Sequence, residues 1–465
     1  MSIRLPWLER QRLLSTWRSP SSFTTLVPIV GRSEPELRAL LEAIAPELER
    51  SLAGVDDLHS FRLVVVPAKA AGMDALHLLM NVVYDRPLDE HLRALVTAAG
   101  PLLEQAYQNG VASHPAGLLT WWKRHRIQHS TMHVGAVRRT LPDIRLDQNL
   151  REEIGDFADR SLAAGRWPAD ASAEKIRLDI RAHILAEGRH RPLPTGPAAP
   201  LSTPGRALQF VDFVITFAFP AMGTLSTDIH NAVERIADRS RRELTRIVHR
   251  LWRLYAAIPT GLALAVVRWL ELREPDEELP PADAAKVARL EAVEDLRLKN
   301  EVTYWFTIKE SWMRRQLMSV VLWGSEGGCR HLWTDGELSG IDTIHYARLL
   351  QLAKKRVMLF MSDYDGSLDR YLLDFTGVGS RAVIPISSSV KGSPKTRWLY
   401  GKDDPTTFGP RLQNLLRTYQ LETSIWYNAY PLLTVRDVLV NGAIRDGLFA
   451  PAMIEEDAQR WADLL

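Results

Sequence analysis

The sequence predicts an α+β fold in which two copies of one unit pack sheet against sheet, with a helical segment inserted between them. Two motifs that occur in both copies and two proline-rich stretches between the copies lead to this prediction. The chain has 465 residues, and at about 150 residues per domain that length suggests about three domains. We place the first repeat at residues 18–165, the linker and helical insertion at 166–299, and the second repeat at 300–450.

A His-x-x-Arg motif opens a predicted strand in both copies. His59 and Arg62 lead an apolar, β-branched run in the first copy, and His345 and Arg348 lead a similar run in the second. Residues i and i+3 of a strand point to opposite faces. We therefore expect only one member of each motif to face the space between the sheets, and the sequence leaves open which one does.

The second repeated motif joins a strand to a helix. Residues 84–92 and 364–372 share Tyr, Asp, Leu, Asp and Leu in register. Each motif follows a second strand, predicted at 76–84 and at 357–364. The connection between the two middle strands of each copy is short, and this predicts that they pair antiparallel.

The outer elements occur in the same order in both copies. A first strand precedes the His-x-x-Arg motif, and a last strand and a trailing helix follow. Each copy therefore reads β-α-β-β-α-β plus a trailing helix, which is the order of the ferredoxin-like unit. The predicted pairs are first strands at 23–29 and 302–308, last strands at 130–135 and 396–401, and trailing helices at 149–162 and 408–419.

The inserted segment is rich in arginine. Residues 188–206 are rich in proline and glycine, and residues 271–283 are acidic and contain three prolines, so both predict linkers. Between them, residues 206–271 are predicted helical and contain the uncharged run 256–267. Such a segment can lie on an anionic membrane surface. Alternatively, it packs on the sheets or on a second subunit as an oligomer interface.

Composition excludes several classes of protein. The formal net charge is +2, which argues against a general nucleic-acid coat. The single cysteine, Cys329, excludes an internal disulfide framework and a cysteine-rich metal site. No secretory signal and no apolar run of the about 20 residues needed to span a bilayer is found. We therefore expect a cytoplasmic protein, and the inserted segment leaves open whether it also associates peripherally with a membrane.

Three stretches of the second copy carry a family resemblance. Residues 340–348, 359–372 and 426–431 resemble an uncharacterised bacterial family of the dimeric α/β-barrel, ferredoxin-like type. Dye-decolorising peroxidases and chlorite dismutases use the same broad fold and bind haem. The former carry a Gly-x-x-Asp-Gly motif, whose nearest match is 362–366, without the first glycine. The resemblance implies a haem-dependent, peroxidase-like oxidoreductase that uses a cavity between the two sheets.

The candidate site residues come from the two repeated motifs. His345 is predicted to ligate haem or to act as a general base near neutral pH. Arg348 would stabilise developing negative charge, and Asp365 would be an acid/base group. With His345, the first-copy residues His59 and Arg62 are the predicted cofactor-binding residues.

Each of these residues also has a structural interpretation. The histidine or arginine of each motif can hydrogen bond to nearby carboxylates and hold two strands together. Asp365 or Ser367 can cap the helix that follows, and Asp85 suits the same role before Pro87.

Two weaker signals concern metals and thiols. His125, His129 and His133 are four residues apart, as metal ligands on one helix face can be. The strand predicted at 130–135 would break that helix, so we predict no metal site. Cys329 lies beside Arg330 and is either a reactive thiol or a small buried residue.

Two further functions stay open. One is a non-catalytic protein that binds an apolar or lipid-like ligand between the sheets and uses its arginine-rich helices to reach membranes. The other is an oligomeric structural or assembly subunit whose insertion forms the interface.

Overall fold

Two five-stranded antiparallel sheets and the helices around them form the molecule, so the predicted α+β class is confirmed. No helix in the described ranges is long and apolar enough to cross a membrane. The structure is a computed structural model that describes residues 20–112, 117–127, 131–136, 139–168, 170–190, 261–331, 333, 336–352, 356–376, 385–396 and 405–465.

Ten strands build the two sheets. The strands before residue 200 are β1 (Ser21–Pro28), β2 (Leu58–Val66), β3 (His77–Tyr84), β4 (Arg126–Ile127) and β5 (Thr131–Val134). Those after residue 290 are β6 (Lys299–Thr307), β7 (Ile344–Leu352), β8 (Val357–Asp365), β9 (Gln420–Leu421) and β10 (Thr423–Asn428).

Each sheet takes one strand from the other half of the chain. The first sheet has the order β10-β2-β3-β1-β4, and the second has the order β5-β7-β8-β6-β9. Strand β5 follows β4 in sequence but pairs with β7, and β10 follows β9 but pairs with β2. The exchange covers the otherwise open edges of β2 and β7, and it ties the two halves together through backbone hydrogen bonds.

Helices cover the outer face of each sheet. The first sheet carries α1 (Glu34–Leu52), α2 (Leu88–Ala112) and α3 (Gly117–Arg124), and α1 begins at the predicted capping box of Ser33 and Glu36. The second sheet is covered by α7 (Trp312–His331), α8 (Leu368–Thr376) and α9 (Pro405–Tyr419). Further helices are α4 (Leu141–Ala163), α5 (Ala173–Glu187), α6 (Ala284–Glu291), α10 (Val435–Leu448) and α11 (Glu455–Ala462).

The outer elements of the second copy have another order than predicted. The helix predicted at 408–419 is present as α9. Of the strand predicted at 396–401, only Thr396 is described, and it is not in a strand. The counterpart of β5 is β10, and the counterpart of α4 is α10, whereas α9 precedes β9. The prediction followed the linear order of elements, which does not show which sheet receives a strand.

Helices α4 and α10 pack against each other with a matched pair of polar contacts. Arg445 on α10 donates to the Asp147 carboxylate on α4. In the opposite direction, Arg151 on α4 donates to the amide oxygen of Asn441 on α10, at 3.1 Å. Helix α5, in the region predicted to be linker, joins the same cluster through Ile180 and Ile184.

Only the end of the arginine-rich insertion is described. Residues 191–260 lie outside the described ranges, so most of the segment predicted to be membrane-binding or oligomeric is not described. A helix covers residues 261–273, and it packs Ala263 and Val267 into the core of the second sheet.

Candidate functional site

The facing surfaces of the two sheets are apolar at one end. Side chains of β1, β2, β3, β6, β7 and β8 form a cluster that fills the space between the sheets there. Its buried members are Leu26, Val64, Val66, Leu79, Trp305, Leu350, Val357, Leu359 and Met361.

A single buried carboxylate lies at the centre of the polar end. Asp363 on β8 accepts hydrogen bonds from Arg62 on β2 and from Arg348 on β7, the latter at 2.8 Å. Ser60 and Trp426 donate to the same carboxylate at 3.1 and 3.2 Å. Burial alone would raise the pKa of Asp363, but the two guanidinium charges outweigh it and lower the pKa. Asp363 is therefore ionised at neutral pH.

Further polar partners bind the terminal guanidinium nitrogens of both arginines. Arg62 donates to Glu301 at 2.9 Å and to Thr303 at 3.0 Å, and Arg348 donates to the amide oxygen of Asn81. Burial lowers the pKa of Arg348 to about 10, so it stays charged at neutral pH. A buried charge needs such partners. These contacts agree with the structural interpretation of the motif arginines, in which they hydrogen bond to nearby carboxylates and hold strands together.

In the first copy, His59 and Asp85 connect strand β2 to the start of helix α4, and we call this arrangement a latch. His59 Nε2 lies 2.8 Å from Asp85 Oδ1. The other oxygen of Asp85 accepts the backbone N–H of Leu141, the first residue of α4, at 2.7 Å. The carboxylate thereby joins β2 to the N-terminus of α4, where the helix dipole favours negative charge.

The second copy contains the same latch. His345 Nε2 lies 2.7 Å from Asp365 Oδ1, and Asp365 Oδ2 accepts the backbone N–H of Val435 at the start of α10, also at 2.7 Å. The predicted capping of the following helix is provided by Ser367, which accepts from the N–H of Arg370. Asp365 and Asp85 instead bind the N-termini of α10 and α4, because the fold brings those distant helices to the strand ends.

Tyrosines connect the latches across the sheets. The hydroxyl of Tyr346 lies 2.9 Å from His59 Nδ1 and 2.7 Å from the hydroxyl of Tyr430. The ammonium of Lys299 lies 3.5 Å from the centre of the Tyr430 ring. Burial lowers the pKa of Lys299 to about 7 despite the nearby carboxylates. Burial and the Lys299 charge together lower the pKa of His345.

The expectation that only one member of each motif faces the other sheet was wrong for the first copy. His59 contacts Tyr346, and Arg62 contacts Asp363, so both reach the second sheet. A β-bulge between Leu58 and Ser60 adds a residue at His59 and changes the alternation of faces. A matching bulge occurs beside His345.

These contacts do not fit a haem ligand. Both ring nitrogens of His59 lie against partners, and Nε2 of His345 lies against Asp365. Arg62 and Arg348 share Asp363, and none of the three is more than 1% exposed at its side chain. An axial ligand requires a ring nitrogen that points at the metal, whereas His345 Nε2 is hydrogen bonded to Asp365 and His59 Nδ1 is hydrogen bonded to Tyr346.

An apolar cavity lies elsewhere, between the outer face of the second sheet and its helices. We call it the second-sheet cavity, and it encloses about 100 Å³. Its walls come from β5, β6, β7, β8, α7, α8 and α9. The lining residues include Phe306, Cys329, Trp333, Ala347, Leu349, Met358, Phe360, Phe375, Leu412 and Leu416.

Two polar side chains without partners line the cavity. Among the described residues, neither ring nitrogen of His133 on β5 has a hydrogen-bond partner. The hydroxyl of Tyr304 on β6 has none there either. His133 is 1% exposed and Tyr304 is fully buried. Burial lowers the pKa of His133 to about 3, so its imidazole is neutral at pH 7.

A glycine allows an aromatic ring to cover one end of the cavity. A Cβ atom on Gly328 would lie 2.5 Å from the ring of Trp333. Any other residue at this position of α7 would displace that ring. Cys329, the next residue, is buried and lines the cavity, in keeping with the interpretation as a small buried residue.

The space exists because one position of the sheet carries a small residue. Ala347 on β7 pairs with His133 on β5 and Ser362 on β8. The corresponding position of the first sheet is Phe61 on β2, which pairs with β10 and β3 in the same way and is fully buried. A ring occupies the first sheet where the second has a methyl group.

The structure gives no support to a histidine metal site. No group of three potential metal ligands occurs among the described residues. His125 binds the carbonyl oxygen of Trp121, His133 lies in a strand, and His129 falls outside the described ranges.

Comparisons with protein-family models, with curated proteins and with solved structures find no match for this chain. The interpretation of the site therefore rests on its own side chains.

Two residues of the site, Asp363 and Ala347, were not predicted from the sequence. An acidic residue within an otherwise apolar strand, opposite two repeated arginines, was the available signal for Asp363. No sequence signal marks Ala347, because its importance depends on the ring that its counterpart carries.

Proposed function

We propose that the protein binds an apolar small molecule in the second-sheet cavity. The observation that carries the proposal is the replacement of the first-sheet ring of Phe61 by Ala347, within a shell of aromatic and aliphatic side chains. Apolar cavities of this order of size can take up a ligand; an engineered one of about 150 Å³ binds benzene. The occupant gains dispersion contacts and leaves water.

The apolar-ligand function expected from the sequence is retained, but the proposed site is no longer between the two sheets. The facing surfaces of the sheets hold an apolar cluster and mutually paired charges. The ligand site proposed here is on the outer face of one sheet. The engaged histidines and arginines favour ligand binding over the haem-dependent peroxidase function that the family resemblance implies.

We also propose that each half is a ferredoxin-like unit and that the chain is a tandem repeat of it. Within both sheets, the four strands of one half follow the same spatial order, second-third-first-fourth. The latches of Asp85 and Asp365 and the exchanged strands β5 and β10 occur in equivalent places. These correspondences support a duplication.

Filling the cavity tests the ligand proposal. Toluene should raise the melting temperature of the wild-type protein in a concentration-dependent manner, since a ligand that binds only the folded state stabilises it. Ala347→Phe, which places the first-sheet ring at the second-sheet position, should abolish the toluene effect.

The matched control is Leu185→Phe, which adds the same ring at an exposed position of α5. It should keep the full toluene response. The proposal is wrong if Ala347→Phe folds and responds to toluene as the wild type does.

A further inference from the structure

We propose that the ligand of the second-sheet cavity is a neutral molecule, a phenol or an alcohol, whose hydroxyl hydrogen bonds to His133 while its apolar part lies along the sheet. This inference rests on the proposed function and adds the chemical class of the ligand. It is carried by the two unpartnered nitrogens of a buried imidazole in the cavity wall.

His133 is placed to hold a polar group. Its strand, β5, is the edge strand that the first half contributes to the second sheet, and His133 pairs with Ala347, the residue that leaves the space open. Leaving a buried polar group without a hydrogen-bond partner is unfavourable, so a ligand that supplies the partner gains affinity. A neutral imidazole has one donor and one acceptor nitrogen, and a hydroxyl can pair with either.

The charge of the lining determines the charge of the ligand. Within the described ranges, no lysine, arginine, aspartate or glutamate lines the cavity. A carboxylate or an ammonium would enter this space without an opposite charge, and burying an unpaired ion is strongly unfavourable. Fatty acids and amines are therefore excluded, and a hydroxyl compound is accepted.

The second unpartnered group marks the far end of the cavity. Tyr304 lies on β6, and three strand spacings separate β5 from β6 in the order β5-β7-β8-β6. At about 4.8 Å per spacing, the backbones of these two strands are roughly 14 Å apart across the sheet. Phe360 and Leu349 lie on the strands between them. A ring that is bound to His133 therefore contacts these apolar residues and does not reach Tyr304.

Three probes of similar shape test the inference: p-cresol, toluene and 4-methylbenzoate. Their dissociation constants would be measured by calorimetry for the wild type and for His133→Phe and Tyr304→Phe. We expect His133→Phe to weaken p-cresol about tenfold, the effect of one lost hydrogen bond, and to change toluene by less than about twofold. Tyr304→Phe should leave both constants within about twofold, and 4-methylbenzoate should not bind.

Toluene binding shows that each variant keeps its cavity. In the wild-type protein, p-cresol but not toluene should also shift the imidazole ¹⁵N resonances of one histidine, a measurement that needs no variant.

The outcomes separate the two proposals. If no probe binds the wild type, the proposed function fails and this inference fails with it. If toluene binds but His133→Phe does not weaken p-cresol, or Tyr304→Phe weakens it instead, the inference is overturned and the apolar-ligand function stands. Binding of 4-methylbenzoate as tight as that of p-cresol overturns the restriction to neutral ligands.

Discussion

Among the differences between the outer faces of the two sheets, one pair of equivalent positions bears directly on the proposed ligand site. In the first sheet, Phe61 lies between Val82 and Tyr427 and is buried under helices. In the second sheet, Ala347 lies between Ser362 and His133 and borders the cavity. Strand order and pairing are the same, so the ligand site that we propose would depend on the smaller side chain at this position and not on a different fold.

The inner faces differ in a complementary way. The arginines are present in both halves, as Arg62 and Arg348, but their shared carboxylate, Asp363, comes from the second half alone. Its counterpart in the first sheet is Val83, which pairs with Ser60 as Asp363 pairs with Tyr346. Asp363 thus binds a positive charge from each sheet, and Arg62 also pairs with a second carboxylate, Glu301. Burial and the Asp363 charge together raise the pKa of Glu301.

The largest effect is expected from removing that carboxylate. Asp363→Asn leaves both Arg62 and Arg348 without a shared negative charge in the interior, so the free energy of unfolding should fall by about 5 kcal/mol. Urea denaturation followed by circular dichroism measures the loss.

A combined variant provides the control. Replacing Asp363 with Leu and both arginines with Met, in a background that carries Glu301→Gln because its partner Arg62 is removed, removes the linked charges together, and it should recover most of the lost stability. A small effect of Asp363→Asn alone would contradict the central role given to this residue.

The next-largest effect is expected from removing the ring that occupies the first sheet at the position of Ala347 in the second. Phe61→Ala should create in the first sheet the space that Ala347 leaves in the second, and it should destabilise the protein by about 4 kcal/mol. Toluene should recover part of the loss by filling the new space. Phe61→Leu is the milder control, and equal costs for the two variants would show that the ring does not fill this position.

A smaller effect depends on pH. The folded protein keeps His133 neutral down to a pKa of about 3 because of burial, whereas the unfolded chain binds that proton near pH 6.5. Stability from this group is therefore present above pH 6.5 and is lost as the pH falls toward 3. Between pH 7 and pH 5 the loss should be about 2 kcal/mol, and His133→Phe should remove it.

The first-sheet counterpart provides the comparison. Burial raises the pKa of Tyr427, so that group does not titrate between pH 7 and pH 5. Tyr427→Phe should change stability equally at both values. Identical pH dependence of wild type and His133→Phe would contradict the burial of a neutral imidazole.

The smallest effect concerns a feature that the two halves share. Thr140 and Thr434 are the N-cap residues of α4 and α10 and accept the backbone N–H of Asp143 and Asp437. Thr140→Ala and Thr434→Ala should each cost about 1 kcal/mol, and the serine variants should cost less. Unequal costs in thermal denaturation would show that the two helix starts are not equivalent.

The sequence predicted the local elements well and the long-range partners poorly. The strands around His59 and His345 and the cap of α1 at Ser33 follow from periodicity and capping patterns that act over a few residues. The destination of β5 and β10 does not, because either sheet could accept an edge strand with the same alternation. The bulge at His59 also escaped prediction, since one extra residue is invisible in a pattern of period two.

By itself, the sequence determined the α+β class, the repeated motifs and the residues, His59, Arg62, His345, Arg348 and Asp365, that converge at the polar end of the sheets. Only the tertiary structure decided their partners, because Asp363 meets its two arginines across a sheet interface that joins segments distant in sequence. It also decided the position of the cavity. A missing ring has no signature in a linear chain until the strands pair and its counterpart, Phe61, is seen to fill the equivalent place.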